Sequence, residues 1–215
     1  MVYVLSDIHG NNAAFNSILS QINLKPSDTL YILGDVIDPN GLDILLKIID
    51  MDNVKMLLGN HEYLLLKTLT GNDAIMKSWF KRNGEKTYKD FLALSKTKQD
   101  KIINFIKGLP LSVEVQVSGK NYLLTHCNGS TTLALRDNVI SFERVEPEFE
   151  VLGDYTLVYG HTPTKYYQGE INPLQVYYGD KKICIDCGAN YPPTHTHVGR
   201  LACIRLDDMK VFYSK

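Results

Sequence analysis

The chain has 215 residues, of which 44% are hydrophobic and 22% charged, the composition of an ordinary globular protein. We expect a single domain over residues 1–215. The formal net charge of -1 gives no overall field that would favour nucleic acid or an acidic membrane surface. No apolar run approaches the ~18 residues of a membrane span. The composition therefore predicts a protein that partners neither nucleic acid nor a membrane.

The first part of the chain alternates short apolar runs with amphipathic segments. Strands are predicted at 2–5, 29–33 and 54–58, and helices at 11–22 and 42–49, where apolar residues recur at helical spacing. This order is typical of βαβ units with right-handed crossovers.

The pattern then changes twice. Residues 61–108 are predicted to be helical, with breaks at residues 71–73 and 83–84, and we interpret them as a helical insert that caps the sheet. Strict alternation over 111–118, followed by a glycine turn, predicts a β-hairpin. Further strands are predicted at 156–159, 182–186, 201–206 and 210–213. We therefore expect a mixed α/β domain with a parallel first half and an antiparallel second half.

Four cysteines are present: Cys127, Cys184, Cys187 and Cys203. Cys184 and Cys187 form a lone C-x-x-C, and no second pair follows to complete a zinc knuckle. The pattern predicts buried thiols in a reducing cytoplasm, with a redox pair as the alternative.

Six short motifs each follow a predicted strand and carry residues that bind metals. Because α/β folds collect ligand-binding residues at strand ends, we expect all six at one edge of the sheet. Aspartate, histidine and asparagine suit divalent metals. Any single motif could be a cap or a turn, but the six together predict a two-metal hydrolytic site. They are Asp7-Ile8-His9-Gly10, Gly34-Asp35-Val36-Ile37-Asp38, Gly59-Asn60-His61-Glu62, Thr125-His126, Gly160-His161-Thr162 and Ile185-Asp186-Cys187-Gly188.

Hydrolysis of a phosphate ester requires an activated water and neutralisation of the phosphate charge, which two divalent metals supply together. A bridging carboxylate would hold such a pair, and Asp35, directly after Gly34, is the candidate. Asp7 and His9 lie two residues apart, so both can reach one metal. The other candidate ligands are Asn60, His126 and His161.

Asp38 and His61 remain outside this ligand set. A carboxylate that hydrogen bonds to an imidazole favours the cation. His61, oriented by Asp38, is therefore predicted to be the general acid that protonates the leaving group.

These motifs resemble those of the calcineurin-like metallophosphoesterases, and within that superfamily the bacterial and bacteriophage serine/threonine phosphoprotein phosphatases. The resemblance extends through residues 6–11, 56–62, 160–163, 185–189 and 199–206. It implies an α/β fold, a two-sheet mixed β-sandwich flanked by helices. It also implies in-line attack by a hydroxide that bridges two divalent ions, with Mn²⁺ expected and iron or zinc as alternatives.

The resemblance also implies specific ligands for each metal. The first ion is expected on Asp7, His9 and Asp35, and the second on Asp35, Asn60, His126 and His161. Asn60 is also expected to contact the substrate phosphate.

One position departs from the family pattern G-D-x-x-D-R-G. Pro39 stands where the arginine that binds phosphate is expected, and proline cannot make the bidentate contact. Arg144 is predicted to be a second phosphate-binding residue, with a solvated surface arginine as the alternative. Asn40 or Lys165 could compensate for Pro39. The loop at 127–130 is expected to shape the substrate cleft. His195 and His197 are interpreted as exposed loop residues rather than as ligands.

The expected function is metal-dependent hydrolysis of phosphomonoesters, with phosphoserine and phosphothreonine of proteins as the main substrates. The alternatives are symmetrical dinucleoside tetraphosphate hydrolysis and hydrolysis of small phosphate metabolites. Pro39 also leaves open a non-catalytic metal-binding module. A nuclease is disfavoured because no basic, aromatic track is visible.

Overall fold

The structure is a computed structural model that describes residues 1–128, 142–169, 171, 173–194 and 198–215. Ten strands in this part of the chain form two five-stranded sheets. The first sheet has the order β10-β9-β1-β2-β3 and the second the order β4-β5-β6-β8-β7. The strands are β1 (Val2–Leu5), β2 (Thr29–Ile32), β3 (Val54–Met56), β4 (Ser112–Val117), β5 (Lys120–Thr125), β6 (Thr156–Tyr159), β7 (Tyr177–Gly179), β8 (Lys182–Cys184), β9 (Ala202–Arg205) and β10 (Lys210–Tyr213).

Both sheets are mixed. In the first sheet β1, β2 and β3 are parallel, and β9 and β10 are antiparallel to their neighbours. In the second sheet β4 and β5 form the predicted hairpin, and β5, β6 and β8 are parallel. The expectation of an antiparallel second half was therefore correct only in part: the pairs β4–β5, β7–β8 and β9–β10 are antiparallel, whereas β5, β6 and β8 run parallel. An alternating strand pattern does not reveal pairing direction, and the long connections before β6 and β8 permit parallel crossovers.

The two sheets share an apolar layer. Val4 and Leu33 from the first sheet lie in one buried cluster with Leu124, Val158 and Ile183 from the second. This packing of two mixed sheets confirms the two-sheet α/β fold that the motif resemblance implied.

Helices cover the outer face of the first sheet, where Phe15, Ile18, Leu45 and Ile102 are buried in a second cluster. These helices are α1 (Asn12–Ile22), α2 (Leu42–Ile49), α3 (Asn60–Leu69), α4 (Asp73–Phe80), α5 (Gly84–Leu92) and α6 (Lys96–Lys107). A further short helix, α7 (Lys165–Gln168), packs through Tyr167 on a buried cluster of the second sheet. Helices α3 to α6 occupy most of the segment predicted to be helical. Its interpretation as an insert in a single domain stays a prediction. No helix in the described ranges is long and apolar enough to cross a membrane.

The six parallel strands end at the same side of the sandwich. The motif residues follow β1, β2 and β3 of the first sheet and β5, β6 and β8 of the second. The imidazole Nδ1 of His126 lies 3.0 Å from the carbonyl oxygen of Leu33, which links the two sheets at this end. The motifs therefore collect across two sheets, not at the edge of one as expected.

The cysteines agree with the prediction of thiols. None of the four forms a disulfide, and Cys184, Cys187 and Cys203 are buried.

Candidate active site

The backbone turns sharply where the strands end. Asp7, His9, Asp35, Asp38 and His161 all have positive φ, at 55°, 48°, 53°, 76° and 64°. Non-glycine residues seldom adopt this left-handed conformation, and where they do so the strain is characteristic of functional sites. At these five positions the chain turns out of its strand direction, and the side chains converge.

Asp35 lies at the centre of the convergence. Its Oδ2 is 3.3 Å from Nε2 of His126, 3.8 Å from Nε2 of His61 and 3.9 Å from Nε2 of His9. Its Oδ1 accepts the backbone N–H of His61 at 3.0 Å. A single carboxylate therefore contacts donors from three other strand ends.

Two groups of potential metal ligands share Asp35. One consists of His9, Asp35 and His61, and the other of Asp35, His126 and His161. Within each group the ligand atoms lie within 4.8 Å of one another.

The other two predicted ligands lie beside these groups. Asp7 Oδ1 is 3.9 Å from His9 Nε2, and Asn60 Oδ1 is 3.0 Å from His126 Nε2. All six predicted ligands are thus brought together, and their role as ligands stays a prediction. His61, which was not predicted to be a ligand, is also within ligand distance.

The carboxylates crowd one another in a buried space. Burial raises the pKa of Asp7 to about 6, opposed by His126 and assisted by repulsion from Asp35. Burial also raises the pKa of Asp186 to about 8, and repulsion from Asp7 adds to the effect. Buried carboxylates are costly unless a positive charge compensates them. A divalent cation is such a charge, so this donor set fits divalent metals.

The two histidines of the second group, the buried His126 and the half-buried His161, differ in pKa. Burial disfavours the His126 cation, but Asp35 outweighs burial and raises the pKa of His126 to about 10. Burial and the neighbouring His126 lower the pKa of His161 to about 3. His161 therefore presents a neutral imidazole, the form that binds metals.

Glu62 fixes the loop that carries Asp35, a role that the sequence analysis did not assign. Its carboxylate is fully buried and accepts the backbone N–H groups of Asp35 at 2.9 Å, Val36 at 2.9 Å and Ile37 at 3.2 Å. A Cβ atom on Gly59 would lie 2.3 Å from Asp35 Oδ1. Only glycine allows this approach. The sequence held one sign of this role, since Glu62 is the last residue of the Gly59-Asn60-His61-Glu62 motif.

Glu62→Gln should destabilise the protein by about 1–3 kcal/mol. The new amide group can still accept from Val36 and Ile37, but its NH₂ would face the N–H of Asp35 and leave that donor unpaired. Chemical denaturation measures the change, and Glu85→Gln on an exposed helix surface is the control. An unchanged free energy of unfolding would show that Glu62 does not hold this loop.

Asp38 and His61 are paired, as the sequence predicted they would be. His61 Nδ1 forms a short hydrogen bond with Asp38 Oδ2, which leaves Nε2 directed towards Asp35. Burial opposes the cation, but Asp35 and Asp38 raise the pKa of His61 to about 9. His61 is therefore protonated at neutral pH. Its role as general acid stays a prediction.

Trp79, on α4, also contacts this pair. Its side chain is fully buried, and its indole Nε1–H donates to the same Asp38 Oδ2. Nothing in the sequence around Trp79 indicated this contact, because it joins residues 41 positions apart.

Trp79→Phe should lower kcat by about 10-fold. Phenylalanine fills most of the buried space but cannot donate to Asp38, and the loss of such an outer partner typically costs about 10–100-fold in activity. Steady-state kinetics on a phosphoserine peptide, whose departing alkoxide needs a proton, measures the effect. Phe91→Leu, which removes a buried ring without contact to Asp38, should lower stability with kcat unchanged. Equal kcat in Trp79→Phe and the wild type would exclude a positioning role.

A cavity of about 420 Å³ opens above these residues. Arg144 lines it, in agreement with the predicted position of a phosphate-binding residue. Neither Asn40 nor Lys165 lines it, and Lys165 Nζ instead lies 4.4 Å from the ring centre of Tyr191. Asp186, from the sixth motif, also lines the cavity, as do Arg82, Asn83, Asn190 and Tyr191, which had no role predicted from the sequence. His195, His197 and part of the 127–130 loop lie outside the described residues.

Comparison with known proteins identifies the family. The sequence profile of the calcineurin-like phosphoesterases matches residues 1–198. The chain belongs to the calcineurin-like phosphoesterase family. Enzymes of this metallophosphoesterase family use divalent metal ions, in agreement with the ligand groups around Asp35.

Curated relatives of this phosphoesterase carry a more specific name. The chain is 30% identical over 172 residues to the symmetrical bis(5'-nucleosyl)-tetraphosphatase of Acidovorax ebreus. This match covers 75% of the chain and 57% of the relative. The protein of that name from Acidovorax sp. strain JS42 is 28% identical over the same coverage. The chain thus spans little more than half the length of these relatives. Their names match the alternative expectation, not the protein phosphatases to which the motifs were compared.

A solved structure supports the fold alone. The metallophosphoesterase of Sphaerobacter thermophilus superposes with a TM-score of 0.57 at 15% identity, covering 99% of this chain and 86% of that one.

Proposed function

We propose that this phosphoesterase hydrolyses symmetrical dinucleoside tetraphosphates at a centre of two divalent metals. The observation that carries the proposal is the position of Asp35, shared by two groups of metal-ligating side chains at one cavity. The names of the curated relatives support the substrate class. The reaction adds one water across the central P–O–P linkage and releases two nucleoside diphosphates.

Each part of the site would have a separate task. Asp7, His9 and Asp35 would hold one ion, and Asp35, Asn60, His126 and His161 the other. Mn²⁺ is the proposed metal. When bound, the two ions activate water and neutralise phosphate charge. Glu62 keeps Asp35 in place through three backbone N–H groups. Arg144 and the amide of Asn60 would bind phosphate oxygens, and Asp38 orients His61 towards the leaving group.

A second candidate function is hydrolysis of phosphoserine or phosphothreonine. The Asp38–His61 pair favours it, because a departing alcohol is about as weak an acid as water, whose pKa is ~15.7, and needs a proton. A departing nucleoside diphosphate ends in a phosphate group whose second pKa is about 6, and it leaves without that help.

Chromatographic analysis of products from P1,P4-diadenosine tetraphosphate tests the proposal. Metal-stripped protein refilled with manganese is expected to form ADP alone, and a phosphoserine peptide at the same concentration is expected to react more slowly. A faster reaction of the peptide would establish the second candidate. Failure on both substrates and on para-nitrophenyl phosphate, by protein shown to hold two metals, would leave a non-catalytic metal-binding module.

A further inference from the structure

The α4–α5 turn, residues 81–83 between helices α4 and α5, brings an arginine to the cavity. Arg82 and Asn83 line the same cavity as Pro39, His61 and Arg144. Pro39 offers no donor there. The guanidinium of Arg82 is therefore a cation on a wall of the site where the family arginine is missing.

The α4–α5 turn is anchored close to the Asp38–His61 pair. The backbone N–H of Arg82 donates to the carbonyl of Trp79 at 2.8 Å, and Trp79 is bound to Asp38. After the turn, Gly84 packs on the indole, since a Cβ atom there would lie 2.2 Å from Trp79 Cε2. Asn83 between them has a φ of 71°. Contacts on both sides therefore hold Arg82 at the cavity.

The charge of Arg82 is available to a ligand. Its side chain is exposed and forms no salt bridge with any described residue. Among the described residues its guanidinium donates one hydrogen bond, from Nη2 to the neutral Oγ of Ser78 on the preceding helix α4 at 3.3 Å. A planar guanidinium with free N–H groups binds phosphate oxygens in a bidentate manner.

Arg82 and Arg144 reach the cavity from different parts of the molecule. Arg82 lies between two helices of the group that covers the first sheet, whereas Arg144 lies in the connection between β5 and β6 of the second sheet. Arg144 also lies 5.7 Å from the ring centre of Tyr166, which belongs to α7 and not to α4 or α5. Two cations on different elements suit a ligand with more than one phosphoryl group.

We propose that Arg82 binds a phosphoryl group next to the one that is attacked, and so selects substrates with a chain of phosphates over phosphomonoesters. This inference rests on the proposed function, whose substrate class it explains. Arg82 acts in binding, so its loss raises KM more than it lowers kcat.

The first test compares two substrates. Arg82→Ala should lower kcat/KM for P1,P4-diadenosine tetraphosphate about 10- to 100-fold, mainly through KM, and by a factor at least 10 larger than for para-nitrophenyl phosphate. Arg82→Lys should recover part of the loss, because lysine keeps the positive charge but cannot make the bidentate contact of a guanidinium. Lys81→Ala removes the adjacent exposed cation, which does not line the cavity, and should resemble the wild type. Equal losses on both substrates, or an equal effect of Lys81→Ala, would overturn the proposal.

A second measurement does not depend on turnover. Calorimetry at a fixed free manganese concentration compares ADP, with two adjacent phosphoryl groups, and AMP, with one. The wild type should bind ADP at least 10-fold more tightly than AMP. In Arg82→Ala the ratio of the two dissociation constants should fall most of the way to one. If the tetraphosphate is not hydrolysed but the ratio depends on Arg82, the proposed function fails and the role of Arg82 stands. If the ratio is the same in both proteins, the role of Arg82 is excluded.

Discussion

His61→Asn is expected to affect the two classes of substrate very differently. Loss of a general acid typically costs about 10²–10⁴-fold in rate when the leaving group needs a proton. We expect a kcat loss of that size on a phosphoserine peptide, whose alkoxide is a poor leaving group. On P1,P4-diadenosine tetraphosphate, which releases a stable diphosphate, we expect a loss below 10-fold.

Steady-state kinetics of His61→Asn on both substrates, with metal content measured in parallel, checks this expectation. His61 Nε2 lies 3.8 Å from Asp35 Oδ2 and within ligand distance of His9. If His61 is a metal ligand, the variant will lose metal and both activities will fall together. Retention of two metals with a loss on the peptide alone would establish it as the acid.

Asp35→Asn is expected to lower activity on every substrate by at least about 100-fold. Loss of a residue that only hydrogen bonds to a metal ligand costs up to about 100-fold, and Asp35 is itself a proposed ligand. Both ligand groups share this carboxylate, and an amide offers one neutral oxygen in place of two charged ones. Metal analysis after dialysis should find fewer than two ions per chain. Asp52→Asn, on the exposed surface, is the matched control. Full activity of Asp35→Asn would exclude the proposed centre.

The sequence predicted the members of the site better than their arrangement. Asp7, Asp35 and His161 were recognised because each follows an apolar run and belongs to a motif with glycine or a second ligand close by. The division of the strands between two sheets depends on pairing partners far apart in the chain, which local alternation does not encode. Helix α7 and strand β7 were not predicted. They have four and three residues, too few to show a helical or strand period in the sequence.

Residues that act through distant contacts were the least predictable. Trp79 reads as an ordinary apolar residue of a helix, yet its indole N–H contacts Asp38. Arg82 reads as one of several cations in a solvated segment, and only the fold brings it to the cavity with Pro39. In both cases the contribution comes from α4 and the turn that follows it, a part of the chain without motifs.

The proposed metal ligands come from both sheets, and this has a consequence for stability. Asp7, Asp35 and Asn60 follow strands of the first sheet, and His126 and His161 follow strands of the second. An ion bound by Asp35 and His126 would cross-link the two halves of the sandwich, and an unfolded chain would not present that arrangement. A ligand that binds only the folded state adds about 4.1 kcal/mol of stability at a concentration 1,000 times its Kd. The bound ions would therefore also hold the two sheets together, so removing them with a chelator should lower the melting temperature as well as the activity.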